Sequence, residues 1–114
     1  MEMKVHLHAD VFEIVKNGPK DVEVRLNDEK RRKLKIGDTL IFLKRPDEDE
    51  EIKAKVIDLK YYDNFSSLLK DFDMKRIYLE NYTEEMYLKE MERFYPIEEQ
   101  QELGVVAIVF EKYK

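Results

Sequence analysis

The 114-residue sequence predicts an α+β fold: a small, mixed, partly open β-barrel of about five to six strands flanked by helices. Three observations carry this. Short apolar–polar alternations separated by tight turns fill the first half. Helix-patterned segments with recognisable caps fill the second. The chain then closes on Val105–Phe110, a nearly continuous apolar run suited to a central strand buried on both faces.

Each element has a local reason. From Lys4 to His8, Val5 and Leu7 alternate with polar residues, as in an opening strand. Asp10 is placed to cap a short helix through Val11, Phe12, Ile14 and Val15, which Asn17-Gly18-Pro19 stops. Val22, Val24 and Leu26 alternate with Glu23 and Arg25, the pattern of a strand with one wet face. Asn27-Asp28-Glu29 opens a helical turn that ends in Arg31-Arg32-Lys33, acid first and base last, as the helix dipole favours.

Ile36-Gly37-Asp38 turns the chain into an apolar strand from Thr39 to Leu43. Pro46 and the acidic run 47–51 make the next turn, and an alternating strand from Ile52 to Leu59 follows. Asn64 is a cap for a helix over Phe65–Phe72, and Thr83 for a longer helix that ends at Tyr95 before Pro96. A turn through Glu98–Leu103 reaches Gly104. Helices inserted this late are expected to pack on one side of the barrel.

Composition bounds the chemistry. With 43% hydrophobic residues the chain can bury a core, and its length suits a single domain over residues 1–114. The absence of Cys excludes disulfides, thiolate metal sites and thiol catalysis. No apolar run nears the ~20 residues that span a bilayer, and no signal core precedes Asp10, so a cytoplasmic protein with no membrane partner is expected. A monomer fits the sequence, which does not fix the oligomeric state.

A net charge of −5 argues against nonspecific coating of nucleic acid. The charge is uneven, however. Residues 16–35 hold eight basic against four acidic side chains, whereas 84–102 hold seven Glu against Lys89 and Arg93. The acidic stretches read as a solvated turn and a solvated helix face.

One motif stands out. Gly18-Pro19-Lys20-Asp21-Val22-Glu23-Val24-Arg25 fits G-x-K-x-x-E-x-R. Gly18 lets the chain leave the helix through an open backbone conformation. Glu23 and Arg25, two apart on a strand, project from one face, with Lys20 at the strand's start; Val22, Val24 and Leu26 are expected in the barrel core. A Lys, a Glu and an Arg converging there suit a base edge, a phosphate or a carboxylate. They suit equally a structural ion-pair network. Arg31-Arg32-Lys33 likewise fit phosphate contacts or a helix C-terminus.

This motif, together with Leu34-Lys35-Ile36-Gly37-Asp38-Thr39-Leu40-Ile41-Phe42 and the closing Gly104-Val105-Val106-Ala107-Ile108-Val109-Phe110, resembles the ASCH domain family of PUA-like barrels. The resemblance covers nearly the whole chain. It implies a module that binds RNA or a modified nucleoside in a cleft between barrel and helices. On that reading Lys20, Glu23 and Arg25 form the cleft floor, with Asp28, Arg31 and Arg32 along its rim.

One branch of the family hydrolyses the amide of N4-acetylcytidine, using a Lys, a Thr three residues later and a Glu from a later helix. Here Lys20 matches the Lys, Glu23 stands where that branch has Thr, and Glu84 or Glu85 falls near the helix Glu. An amidohydrolase would therefore rest on Lys20, Glu23 and Glu85, with Glu23 as base on water rather than a hydroxyl nucleophile. A third alternative is a protein-interaction module without nucleic acid. No cofactor is implied. His6 and His8 share a strand face but lack a third ligand at recognisable spacing, so no metal site is expected. The tyrosines of the second half, with Phe65, Phe72 and Phe94, suit helix-to-barrel packing or base stacking.

Overall fold

The computed structural model describes residues 1–113. Its element order is β1 (Glu2–Leu7), α1 (Ala9–Lys16), β2 (Val22–Leu26), α2 (Glu29–Arg32), β3 (Thr39–Lys44) and β4 (Glu51–Tyr62). There follow α3 (Phe65–Leu69), α4 (Met74–Ile77), α5 (Glu84–Phe94), α6 (Ile97–Leu103) and β5 (Val105–Lys112). The five strands form one mixed sheet in the order β1-β3-β4-β5-β2. β1 runs parallel to β3, and every other pairing is antiparallel. The sheet curls into a half-barrel whose two edges, β1 and β2, approach without sharing a ladder.

β5 lies between β4 and β2, and its buried residues divide between the two faces. Val106, Ile108 and Phe110 join β1, β3, β4 and α1 in one apolar cluster, the barrel interior. Val105, Ala107 and Val109 join Val22, Val24, Leu26 and the helices α3 to α5 in a second. Helices therefore cover both faces, with α1 plugging the interior, rather than packing on one side. The continuous apolar character of β5 follows directly, since neither face meets water.

That arrangement corrects the expected orientation of β2. Val22, Val24 and Leu26 face the helices, not the barrel core. Glu23 and Arg25 pair across the ladder with Ile108 and Val106, so they point to the interior side. The face expected to be wet is thus the one turned inward, and Glu23 is only 4% exposed.

Local chemistry explains most boundaries. Asn64 accepts a hydrogen bond from the Ser67 backbone at 2.8 Å and Thr83 from the Met86 backbone at 3.1 Å, each satisfying an orphan donor of α3 or α5. Asp10 does not cap α1: His8 holds that position without a side-chain bond, and Asp10 lies in the first turn. Residues 74–77 form a helical turn where none was expected, and the segment expected to be a turn at 98–103 is α6. At its end Gly104 takes φ +72°, and a Cβ there would stand 3.0 Å from the Tyr62 carbonyl oxygen, so glycine satisfies both demands.

Candidate functional site

The half-barrel's open seam, where β1 and β2 approach, holds a cleft of about 180 Å³. Its floor comes from β2 and the residues before it (Lys20, Glu23, Arg25), and one wall from β1 and α1 (His6, His8, Val11). The other wall comes from α4 and α5.

Lys20 is the buried anchor of this floor, 3% exposed. Its ammonium donates to the Val22 carbonyl at 2.5 Å and to the Ile77 carbonyl at 2.6 Å, and forms an ion pair with Glu23 Oε1 at 3.0 Å. α4 is fixed in place to deliver Ile77: the Asp21 amide donates to the Arg76 carbonyl at 3.0 Å, and the Arg76 guanidinium donates both Nε and Nη2 to the Asp21 carboxylate at 2.8 and 3.2 Å. Burial lowers the Lys20 pKa, opposed by the adjacent Glu23 carboxylate.

Glu23 spends both oxygens. Oε1 takes Lys20 and Oε2 accepts from Arg25 Nε at 2.8 Å. Burial alone would raise its pKa, but the Lys20 ammonium and the Arg25 guanidinium outweigh that and hold the carboxyl at about 2. A carboxylate so stabilised is a weak base.

The pH consequence has a definite sign. A carboxyl lowered from 4.5 to about 2 stabilises the fold fully above 4.5 and loses that contribution as pH falls through 2. At ~1.4 kcal/mol per unit, the loss is about 3 kcal/mol. Urea unfolding of wild type and Glu23→Gln from pH 6 to 2 should show the wild type's extra loss in that window. Parallel pH profiles would contradict the assignment.

Arg25 is the member of this trio that reaches the opening, with 22% of its side chain exposed. Besides Glu23, it donates through Nη2 to the His6 carbonyl at 3.4 Å, tying the two sheet edges together. The Tyr95 hydroxyl lies beside it. Its pKa is raised by the Glu23 carboxylate, against the effect of burial and with help from Tyr95, so it is a permanent cation. Five N–H donors outnumber these partners, leaving some for an incoming acceptor.

The α5 wall is a helical stripe of Tyr87, Met91 and Phe94, spaced to share one face, with Tyr95 beside it at the helix's C-cap. Tyr78 of the α4 end packs edge-on against Tyr87 at 5.5 Å between ring centroids and against Tyr82 at 4.8 Å. Burial raises the Tyr87 pKa, and the Glu23 carboxylate adds to it. Burial likewise raises that of Tyr78, with Glu90 adding. Both rings stay neutral phenols.

Asp28, Arg31, Arg32, Glu84 and Glu85 lie outside the cleft. Asp28 caps α2, accepting from the Arg31 amide at 3.0 Å and from Arg31 Nη1 at 3.4 Å. Arg32 Nε donates to the Asn27 carbonyl at 2.9 Å. Asp28 and Arg31 line a separate depression with Met1, Glu2 and Met3, at the opposite end of β1 from the cleft. Glu85 is exposed and pairs with Lys89 at 3.4 Å, and does not line the cleft. Glu84 lines another hollow beside α4. His6 Nδ1 lies 2.6 Å from Glu48 Oε1, and His6 and His8 line the cleft. Among the described residues, no group of three His, Cys, Asp or Glu is placed to hold a metal ion.

The structure brings Lys20, Glu23 and Arg25 together, and sets beside them an α5 stripe that sequence reasoning did not assign to the cleft. The signal was present, since positions 87, 91 and 94 recur at helical spacing. What it lacked was the helix's rotation relative to β2.

A family model described as the ASCH domain matches residues 5–113. The crystal structure of hypothetical protein PH0355 is 32% identical, with a TM-score of 0.86 over 99% of this chain and 100% of that one. The solution NMR structure of protein PF0455 from Pyrococcus furiosus is 30% identical, with a TM-score of 0.80 over 100% of this chain and 99% of that one. Among curated proteins there is no match. With the family's model matched from strand β1 to beyond the end of β5, and two whole-chain structural relatives at this identity, the chain belongs to the ASCH domain family.

Proposed function

We propose that this chain is a single-domain binding module for RNA or a modified nucleoside, and that the cleft at the β1–β2 seam is its ligand site. One observation carries the reading. Arg25 is presented at the cleft mouth by a buried Glu23–Lys20 pair whose ammonium and both carboxylate oxygens are engaged within the protein. The floor therefore offers donors and positive charge, held rigidly among aromatic rings, and suits a planar group with oxygen or nitrogen acceptors. The small volume suits one ring rather than a drug-sized ligand, for which ~300–1,000 Å³ is usual.

The same protonation states support holding over turnover. Glu23 is too weak a base to activate water readily, and the Lys20 nitrogen is buried against the Val22 and Ile77 carbonyls and the Glu23 carboxylate. Titration calorimetry with the common ribonucleosides, N4-acetylcytidine and short single-stranded RNAs tests the reading. Arg25→Ala should weaken binding about tenfold or more, since charge-assisted bonds are worth ~1.5–3 kcal/mol. Arg25→Lys, which keeps the charge and loses the fork, should fall between. Equal affinity of wild type and Arg25→Ala would remove the reading.

A further inference from the structure

We propose that Phe94 is the stacking platform of the cleft, so that the ligand is recognised as a single unpaired nucleobase with one face against this ring. The inference rests on the binding reading above and specifies how the same site takes its ligand. Along the α5 stripe burial falls steadily toward the opening: Tyr87 is 3% exposed, Met91 half-buried, and Phe94 59% exposed. A helix face that packs against a core buries its whole apolar stripe. This one leaves its last large ring in water at the cleft mouth.

The other rings of the site already have partners. Tyr78 lies edge-on to Tyr82 and Tyr87, and Tyr95 packs at 5.8 Å from Phe65. Phe94 has no ring partner among the described residues. It directly precedes Tyr95, whose hydroxyl lies beside the Arg25 guanidinium. The cleft thus supplies both an uncovered aromatic face and a hydrogen-bonding fork. A planar heterocycle with acceptors on one edge satisfies both at once, and an aliphatic or purely anionic ligand satisfies only the fork. The face must be free, which excludes a base stacked within a duplex and leaves a nucleoside, a strand end or a flipped base.

The chain contains no Trp, so Phe94→Trp installs a sole indole at the platform, and the native exposure of Phe94 means that neither this variant nor Phe94→Ala threatens the core. Binding of adenosine, cytidine, N4-acetylcytidine and short single-stranded RNA to Phe94→Trp should quench the indole emission at the occupancy measured by calorimetry. Phe94→Ala should bind these probes about tenfold more weakly, and Phe94→Tyr nearly as wild type. Quenching by free nucleosides identifies a nucleoside site, whereas quenching by RNA alone identifies a base within a strand; either supports the platform. Wild-type affinity in Phe94→Ala, or binding without quenching, overturns it while leaving the binding module intact. If no probe binds the wild-type protein, the binding reading itself fails and the platform with it.

Discussion

Glu23→Ala should destabilise the fold by about 3–5 kcal/mol, the cost of removing one partner from a buried ion pair. The substitution leaves the Lys20 ammonium 3% exposed, with only the carbonyls of Val22 and Ile77 around it, and frees Arg25 Nε. Denaturant unfolding at pH 7 measures this directly. Adding Lys20→Met should recover part of the loss, because the unpaired charge goes too, but not all of it. The two carbonyls would then lack their donor. A Glu23→Ala protein within 1 kcal/mol of wild type would show that the network does not hold the seam together, within the ~0.5 kcal/mol scatter of such comparisons.

Phe42→Ala should cost a similar ~3–5 kcal/mol for a different reason. Phe42 is fully buried on β3, paired across the sheet with Val5 of β1 and Ile52 of β4, and its ring lies 4.8 Å from that of Phe110. Removing it opens a cavity at the centre of the barrel interior, which the rigid ladders on both sides cannot close. Because Phe42 does not line the cleft, the folded fraction of this variant should bind ligand as wild type. Together the two variants separate barrel stability from the integrity of the seam: the first should harm both, the second only stability.

The parts of this fold legible in the sequence are those set by neighbours along the chain. Asn64 and Thr83 mark helix starts because their side chains satisfy amides three residues on. The Val105–Phe110 run marks the central strand because burial on both faces removes alternation. α4 was missed because four residues are too few for a period to show, and α6 because its Glu-rich turns resemble a solvated loop.

The orientation of β2 marks a different limit. Alternation tells which residues share a face, never which face turns inward, and the rule that charge faces water points the wrong way here. What makes Glu23 tolerable inside is Lys20 and Arg25, the Lys20 ammonium being held in turn by the carbonyl of Ile77, fifty-seven positions after it in the chain. Those are tertiary facts. The same holds for the site: the shared face of Glu23 and Arg25 was readable, whereas the α5 wall, and the distance of Asp28, Arg31 and Arg32 from it, followed only from packing.

A ligand held at the β1–β2 seam alters the surroundings of the amides that line it. NMR titration of the isotopically labelled protein with ribonucleosides, N4-acetylcytidine and short single-stranded RNAs tests for one most directly, since each backbone amide reports its own surroundings. Shifts should concentrate at His6, Arg25, Tyr78, Tyr87, Phe94 and Tyr95, with the α2 residues following only for longer RNAs. Unmoved seam amides throughout the titrations would contradict a ligand site there, and the Lys20–Glu23–Arg25 network would then stand as barrel architecture alone.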